Sequence, residues 1–215
     1  VFDPDDERAG QLADTHGAES FASLDALLAE VDVITIASPP SFHAANARPA
    51  LLAGKHVLVE KPLATDAALG AELVAIAAAN KCVLACGHQE RLVFDAMGLF
   101  GAPERPTRIE SVREGPWTGR SADVSVTLDL MVHDLDLALK LMGRSADRIA
   151  ATARAEHGKA ADQIEATLGF GDSEAVFTSS RIAANRKRTM RAVYPSGEIR
   201  IDFLARTFEN TTSFP

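Results

Sequence analysis

Gly54-Lys55-His56-Val57-Leu58-Val59-Glu60-Lys61-Pro62-Leu63 is an apolar, β-rich run entered through a glycine and closed by an acid, a base and a proline. Val57 to Glu60 is the strand candidate. Before it, Ser41 opens a helix that ends at Gly54; after it, Thr65-Asp66 opens one that runs to Asn80. Hydroxyls and acids favour helix starts, and Gly or Asn favours helix ends. Pro49 lacks an N–H and is expected to kink the first of these helices or shift its start. Further out, Val31 to Ala37 and Val83 to Cys86 repeat the short apolar pattern, and Ser23 N-caps Leu24 to Glu30. Each strand is apolar on both faces, as in a parallel sheet covered by helices. The alternation predicts a βαβ succession over about the first ninety residues.

The character changes after Arg91. Strand-like segments separated by turns dominate: Arg108 to Arg113, Arg148 to Ala155, Gln163 to Phe170, Ala175 to Ile182, and Thr189 to Phe203 around a turn at Pro195-Ser196-Gly197. One long helix, Thr127 to Met142, precedes most of them. The fold class is therefore α/β: a Rossmann-type parallel sheet in residues 1–91, then an α+β domain with an open, mostly antiparallel sheet in residues 92–215. Arg186-Lys187-Arg188 with Arg191 reads as a charged, solvated strand edge. Glu209 to Pro215 reads as an unfinished strand and loop.

The chain of 215 residues carries a net charge of -8, which argues against nucleic acid and anionic membranes as partners. No stretch approaches the ~18 apolar residues of a membrane span, and a soluble, cytoplasmic protein is expected. Cys82 and Cys86 read as core thiols, and their spacing matches no metal signature.

In an open parallel sheet, ligands bind outside the carboxyl ends of the strands, where Pro39, Glu60 to Pro62 and Gly87 to Arg91 fall. An ammonium at Lys61 suits polarisation of a substrate hydroxyl and stabilisation of the alkoxide it becomes. Asp3 follows an apolar strand end and precedes a helix from Asp5 to about His16. In a dinucleotide-binding sheet such an acid accepts the adenosine ribose hydroxyls and repels a 2′-phosphate, favouring NAD over NADP; capping of the next helix explains it equally well if it is taken alone. On the helix Thr127 to Met142, Asp129 and His133 are four apart and share a face, and Asp136 lies nearby, an arrangement that suits a tuned general base or a satisfied core histidine. Arg113-Glu114-Gly115-Pro116-Trp117-Thr118-Gly119-Arg120 reads as a loop presenting two arginines and the single tryptophan. With Arg91, these residues suit either a sugar phosphate or an interface.

Glu60-Lys61-Pro62 after an apolar strand, Ala37-Ser38-Pro39-Pro40-Ser41-Phe42-His43 at the previous strand end, and Cys86-Gly87-His88-Gln89-Glu90-Arg91 together resemble the Gfo/Idh/MocA oxidoreductases across essentially the whole chain. The resemblance implies a nicotinamide-dependent dehydrogenase acting on a secondary alcohol of a sugar, nucleotide sugar or polyol. It implies Lys61, His133 and Asp129 as catalytic residues and Asp3, Ser38, Pro39, His43, Glu60, Lys61 and Gln89 at the NAD site. It further implies Arg91, Arg113, Trp117 and Arg120 on the substrate side, no metal, and a homo-oligomer. For His43 a helix-start role is an equal alternative. The stretch from Asp123 to Asp136 looks most like the nucleotide-sugar 3-dehydrogenases. The family's first strand and Gly-x-Gly-x-x-Gly turn do not occur in these residues, nor do its final helices, so these residues alone are expected to bind dinucleotide poorly. Two rival readings are an NAD-dependent glycosidase of the same family and a non-catalytic dinucleotide sensor.

Overall fold

The computed structural model describes residues 1–214. The chain forms two compact units, one over Val1–Gly87 and one starting at His88.

The first unit contains helix α1 (Asp6–His16), helix α2 (Leu24–Glu30), strand β1 (Val33–Ile36), helix α3 (His43–Leu52), strand β2 (His56–Glu60), helix α4 (Ala67–Ala79) and strand β3 (Leu84–Gly87). The strands form a parallel sheet in the order β1-β2-β3. Side-chain caps start three of the helices: Asp5 accepts from the Arg8 N–H, Ser23 from that of Ala26, and Asp66 from that of Leu69. The cap of α1 is thus Asp5, which leaves Asp3 outside the helix. A short 3₁₀ turn at Pro40–Phe42 displaces the start of α3 from Ser41 to His43, while Pro49 sits within the helix.

Ile34, Ile36, Val57 and Val59 pack on Ala47, Ala50, Leu51, Leu73 and Ala77 to form this unit's core. The expectation that both sheet faces are covered is corrected: Val33 is 59% exposed and Leu58 37%. The alternate positions of each strand are apolar yet face away from α3 and α4, because burial follows the two-residue period and not the composition of the run.

The second unit contains helix α5 (Glu90–Ala96), strand β4 (Arg108–Glu114), helix α6 (Val132–Met142) and strands β5 (Arg148–Arg154), β6 (Gln163–Phe170), β7 (Ser173–Ser180), β8 (Lys187–Tyr194), β9 (Gly197–Asp202) and β10 (Thr207–Asn210). Its sheet runs β10-β9-β8-β4-β7-β6-β5, antiparallel throughout except where β4 lies parallel to β7. One face buries Ile109, Ala175, Phe177, Met190 and Ala192 against Phe94, Leu137, Ala138 and Leu141 of α5 and α6. Leu137 is wholly buried there, the kind of site where truncation to alanine costs about 2–5 kcal/mol.

The opposite face is charged. Arg108 bonds Glu110 and Glu174, and Arg191 bonds Glu110 and Glu198. The basic run at 186–191 is therefore not a sheet edge. β8 lies between β9 and β4, and Arg191 is neutralised by neighbouring strands rather than by solvent. α5 was not foreseen, since it is short and lacks a clean period; the strand expected from Glu209 begins earlier, as β10 over Thr207–Asn210, and Pro215 lies outside the described residues.

Tyr194 is 3% exposed, meets Phe214 edge-on at 5.1 Å, and its hydroxyl has no hydrogen-bond partner. Burial pushes its ionisation up to about 12, with Arg105 opposing and Glu104 assisting. Removing an unpaired buried hydroxyl relieves its desolvation, so Tyr194→Phe should be neutral or stabilise by up to about 1–2 kcal/mol, read as the shift of a urea unfolding midpoint.

Candidate active site

In the first unit the candidate residues gather at the carboxyl edge of the parallel sheet. Ser38 and Pro39 follow β1, Lys61 and Pro62 follow β2, and Gly87 ends β3. Glu60 pairs in register with Gly87, and a Cβ on that glycine would lie 3.0 Å from the Glu60 carboxylate. A side chain there would have to push the Glu60 carboxylate aside. Lys61 is half-buried and joined to Pro62 by a cis peptide bond.

His43, 1% exposed, spans the edge: Nδ1 lies 2.6 Å from the Pro62 carbonyl oxygen and Nε2 2.8 Å from that of Ser38. Asn46 Nδ2 donates to Ser38 Oγ at 3.1 Å. At the start of the unit, Asp3 accepts from the Asp5 N–H at 2.9 Å and pairs loosely with Arg8 at 3.5 Å, keeping its side chain 30% exposed. A partly exposed acid and small residues at the strand ends fit a nicotinamide dinucleotide, which binds at the carboxyl edge of such sheets.

In the second unit the arrangement centres on Arg113 of β4, whose side chain is 3% exposed. Glu90 of α5 accepts from Nη1 and Nη2 at 3.0 and 2.8 Å, and Asp134 of α6 accepts from Nε and Nη2 at 2.9 Å each. Burial opposes the guanidinium's charge, but Asp134 and Glu90 outweigh it and hold its ionisation above the ordinary value. This corrects the expectation that Arg113 is a loop residue offered to substrate: it is an interior strand residue saturated by two carboxylates.

Glu90 Oε1 also lies 3.8 Å from His133 Nδ1. Asp136, on the same helix, is bonded by Arg91 and lies 3.5 Å from His88 Nδ1. The His88 to Arg91 segment is thereby stapled to α6 at both ends. Glu90 and Asp134 escaped the sequence reading, although both flank residues it selected.

A second knot holds the chain leading into α6. Arg181, 6% exposed, donates through Nε to Asp162 at 2.6 Å and through Nη1 to the Ser121 and Val124 carbonyls at 2.7 and 2.9 Å. Asp162 also accepts from the Glu156 and His157 N–H groups at 2.7 and 2.8 Å. Trp117 stacks on the His157 ring at 4.1 Å, with the Arg181 guanidinium 5.0 Å from its centre, while Arg120 is exposed. Past the knot, the expected regular helix begins instead with a π-type turn, Thr127–Met131, which carries Asp129. The spacing of Asp129 and His133 is therefore not that of a uniform 3.6-residue helix; such widened turns recur at functional sites. Among the described residues no cluster could hold a metal ion.

Comparison with known proteins identifies the family of both units. Residues 1–88 match the family model described as an oxidoreductase family with an NAD-binding Rossmann fold, and residues 96–200 match the Gfo/Idh/MocA C-terminal domain. UDP-N-acetylglucosamine 3-dehydrogenase of Acidithiobacillus ferrooxidans is 36% identical over 212 residues, covering 96% of this chain and 67% of that protein. Its solved structure superposes with a TM-score of 0.88 at 35% identity, over 97% of this chain and 69% of that one. The WlbA dehydrogenase of Bordetella pertussis, solved with NADH and UDP-GlcNAcA, shares the fold at a TM-score of 0.85 and 19% identity, over 100% of this chain and 69% of that one.

Burial works against the Asp162 carboxylate, yet the His157 and Glu156 N–H groups and Arg181 hold it at about 2. A lowered value means that the fold favours the ionised form. The stabilisation is present above the unfolded value of about 3.9 and is lost as pH falls towards 2. Asp162→Asn should lower the melting temperature at neutral pH and flatten the stability curve between about pH 4 and pH 2, measured by thermal unfolding across that range.

Proposed function

Because the chain belongs to the Gfo/Idh/MocA oxidoreductase family, we propose that it transfers a hydride between NAD and a secondary alcohol of a nucleotide sugar. The observation that carries this reading is the 36% identity to a UDP-N-acetylglucosamine 3-dehydrogenase, sustained over 96% of the chain. The chain spans 67% of that relative's length. Bound NAD supplies the hydride acceptor.

In this reading the Lys61 ammonium donates to the substrate hydroxyl oxygen and stabilises its alkoxide character as the bond to carbon is oxidised. His133 accepts the hydroxyl proton at Nε2. With Nδ1–H turned towards Glu90, 3.8 Å away, the ring presents a lone pair at Nε2, and the Glu90 carboxylate stabilises the imidazolium that forms. Asp129, on the widened turn, orients the sugar or the base. Asp3 receives the adenosine ribose hydroxyls and favours NAD over NADP, while Ser38, Pro39, Glu60 and Gln89 belong to the nucleotide side and His43 supports that side from within, through the Ser38 and Pro62 carbonyls. Trp117, Arg120 and Arg91 are assigned to the substrate side, where an aromatic face and guanidinium groups suit a base and phosphates.

No helix among the described residues is long and apolar enough to cross a membrane, and Cys82 and Cys86 are not joined in a disulfide, in keeping with a cytoplasmic enzyme. A homo-oligomer is supported by the open face of the second unit's sheet, whose Arg108, Glu110, Arg191 and Glu198 offer both signs of charge to an identical surface. Light scattering on the full-length protein should give a multiple of the monomer mass, and Glu110→Arg should shift it towards one.

The full-length protein with NAD and UDP-N-acetylglucosamine should produce NADH, with His133→Asn lowering kcat by roughly 10²–10⁴-fold. Fluorescence titration should show tighter binding of NADH than NADPH, with the preference reduced in Asp3→Asn. Free sugar released without net NADH would move the reading to NAD-dependent hydrolysis, and failure to bind either dinucleotide would end it.

A further inference from the structure

His43 is the first residue of α3, yet its ring makes no helix cap. It is 1% exposed, and its two nitrogens face two main-chain carbonyl oxygens, Pro62 O at 2.6 Å from Nδ1 and Ser38 O at 2.8 Å from Nε2. Carbonyl oxygens only accept hydrogen bonds. A neutral imidazole has a single N–H, so either tautomer would satisfy one carbonyl and press a nitrogen lone pair against the other. Rotating the ring by half a turn would put carbons where the nitrogens stand and lose both bonds. A ring with hydrogen on both nitrogens donates to both oxygens, and bonds from a charged donor are short.

The two carbonyls belong to different strand ends. The β1–β2 ladder is in register up to Ile36 and Val59, and the chain then parts into the segment carrying Ser38 and the segment carrying Lys61 and Pro62. The imidazole bridges the segments just beyond the last ladder pair, and Asn46, one helical turn further along α3, holds Ser38 from its hydroxyl side. Pro62 is covalently next to Lys61 and is itself buried, so the position of its carbonyl limits where the lysine backbone can lie.

We propose that His43 is a positioning residue for Lys61: it carries a hydrogen on both ring nitrogens and, as an imidazolium, ties the Ser38 and Pro62 carbonyls together so that the Lys61 ammonium is held in one place. The role in turnover rests on the reading of Lys61 given above, whereas the protonation of the ring does not. The ring contributes no proton to the reaction; it acts through the backbone.

The first test is a long-range nitrogen-15 to proton correlation spectrum of the full-length protein at neutral pH, with the His43 ring identified as the signals lost in His43→Gln. Both ring nitrogens should show the shifts of protonated imidazolium; one bare nitrogen overturns the proposal. The second test is kinetic. Misplacing a catalytic group by about 1 Å costs on the order of a hundredfold, so His43→Phe should lower kcat by about that factor with little change in KM, and His43→Gln, which restores one donor, should fall between. Wild-type kcat in His43→Phe overturns the positioning role. Wild-type kcat in Lys61→Met overturns it together with the reading of Lys61, while the imidazolium still stands or falls on the spectrum.

Discussion

A guanidinium in an apolar interior must have its charge matched on the spot, and Arg113 imposes that demand on the second unit. It points from β4 into the core side of the sheet, where water cannot replace its partners, and it takes one carboxylate from α5 and one from α6. Removing one partner of such a group is far more damaging than replacing the whole set. The triad therefore fixes two helices against one strand. Each residue of a helix turns the side chain by about 100°, so burying Asp134 on Arg113 also sets the direction of His133 just before it. Glu90 closes the arrangement, since the oxygen that binds Arg113 also lies near His133 Nδ1. The charge that organises the core thus reaches the proposed base.

The first unit solves a related problem without ion pairs. A parallel sheet gathers the carboxyl ends of its strands along one edge, which suits ligand binding but leaves the segments beyond the ladder without sheet hydrogen bonds. Here a histidine between two carbonyls takes over that task. The loop before α6 is treated similarly, with Arg181 collecting carbonyls and Asp162 collecting N–H groups around the Trp117 stack. Local backbone groups are satisfied by buried side chains wherever regular structure stops.

Much of this was legible in the residue order. The caps at Ser23 and Asp66 followed the hydroxyl and acid preference for helix starts, and the run from Val57 to Glu60 lies within β2. The start of α3 was read two residues early, at Ser41, because a 3₁₀ turn at Pro40–Phe42 and the first turn of an α-helix look alike in sequence, and Pro49 sits inside the helix. The widened turn at Asp129 left no mark in the pattern, because a π-type turn and an α-turn have nearly the same apolar spacing over five residues. The charged run around Arg191 was misread as an edge because strand order within a sheet is not a local property.

The sequence by itself determined the two kinds of unit, the strand ends on which Ser38, Lys61 and Gly87 stand, and the family to which their motifs point, because periodicity, capping and turn chemistry act over a few residues. Tertiary structure decided what each charged or polar side chain does. Arg113 meets Glu90 and Asp134 across 23 and 21 positions, and His43 meets Pro62 across 19. Whether such a group faces water or a partner depends on burial, and burial exists only once distant segments have packed.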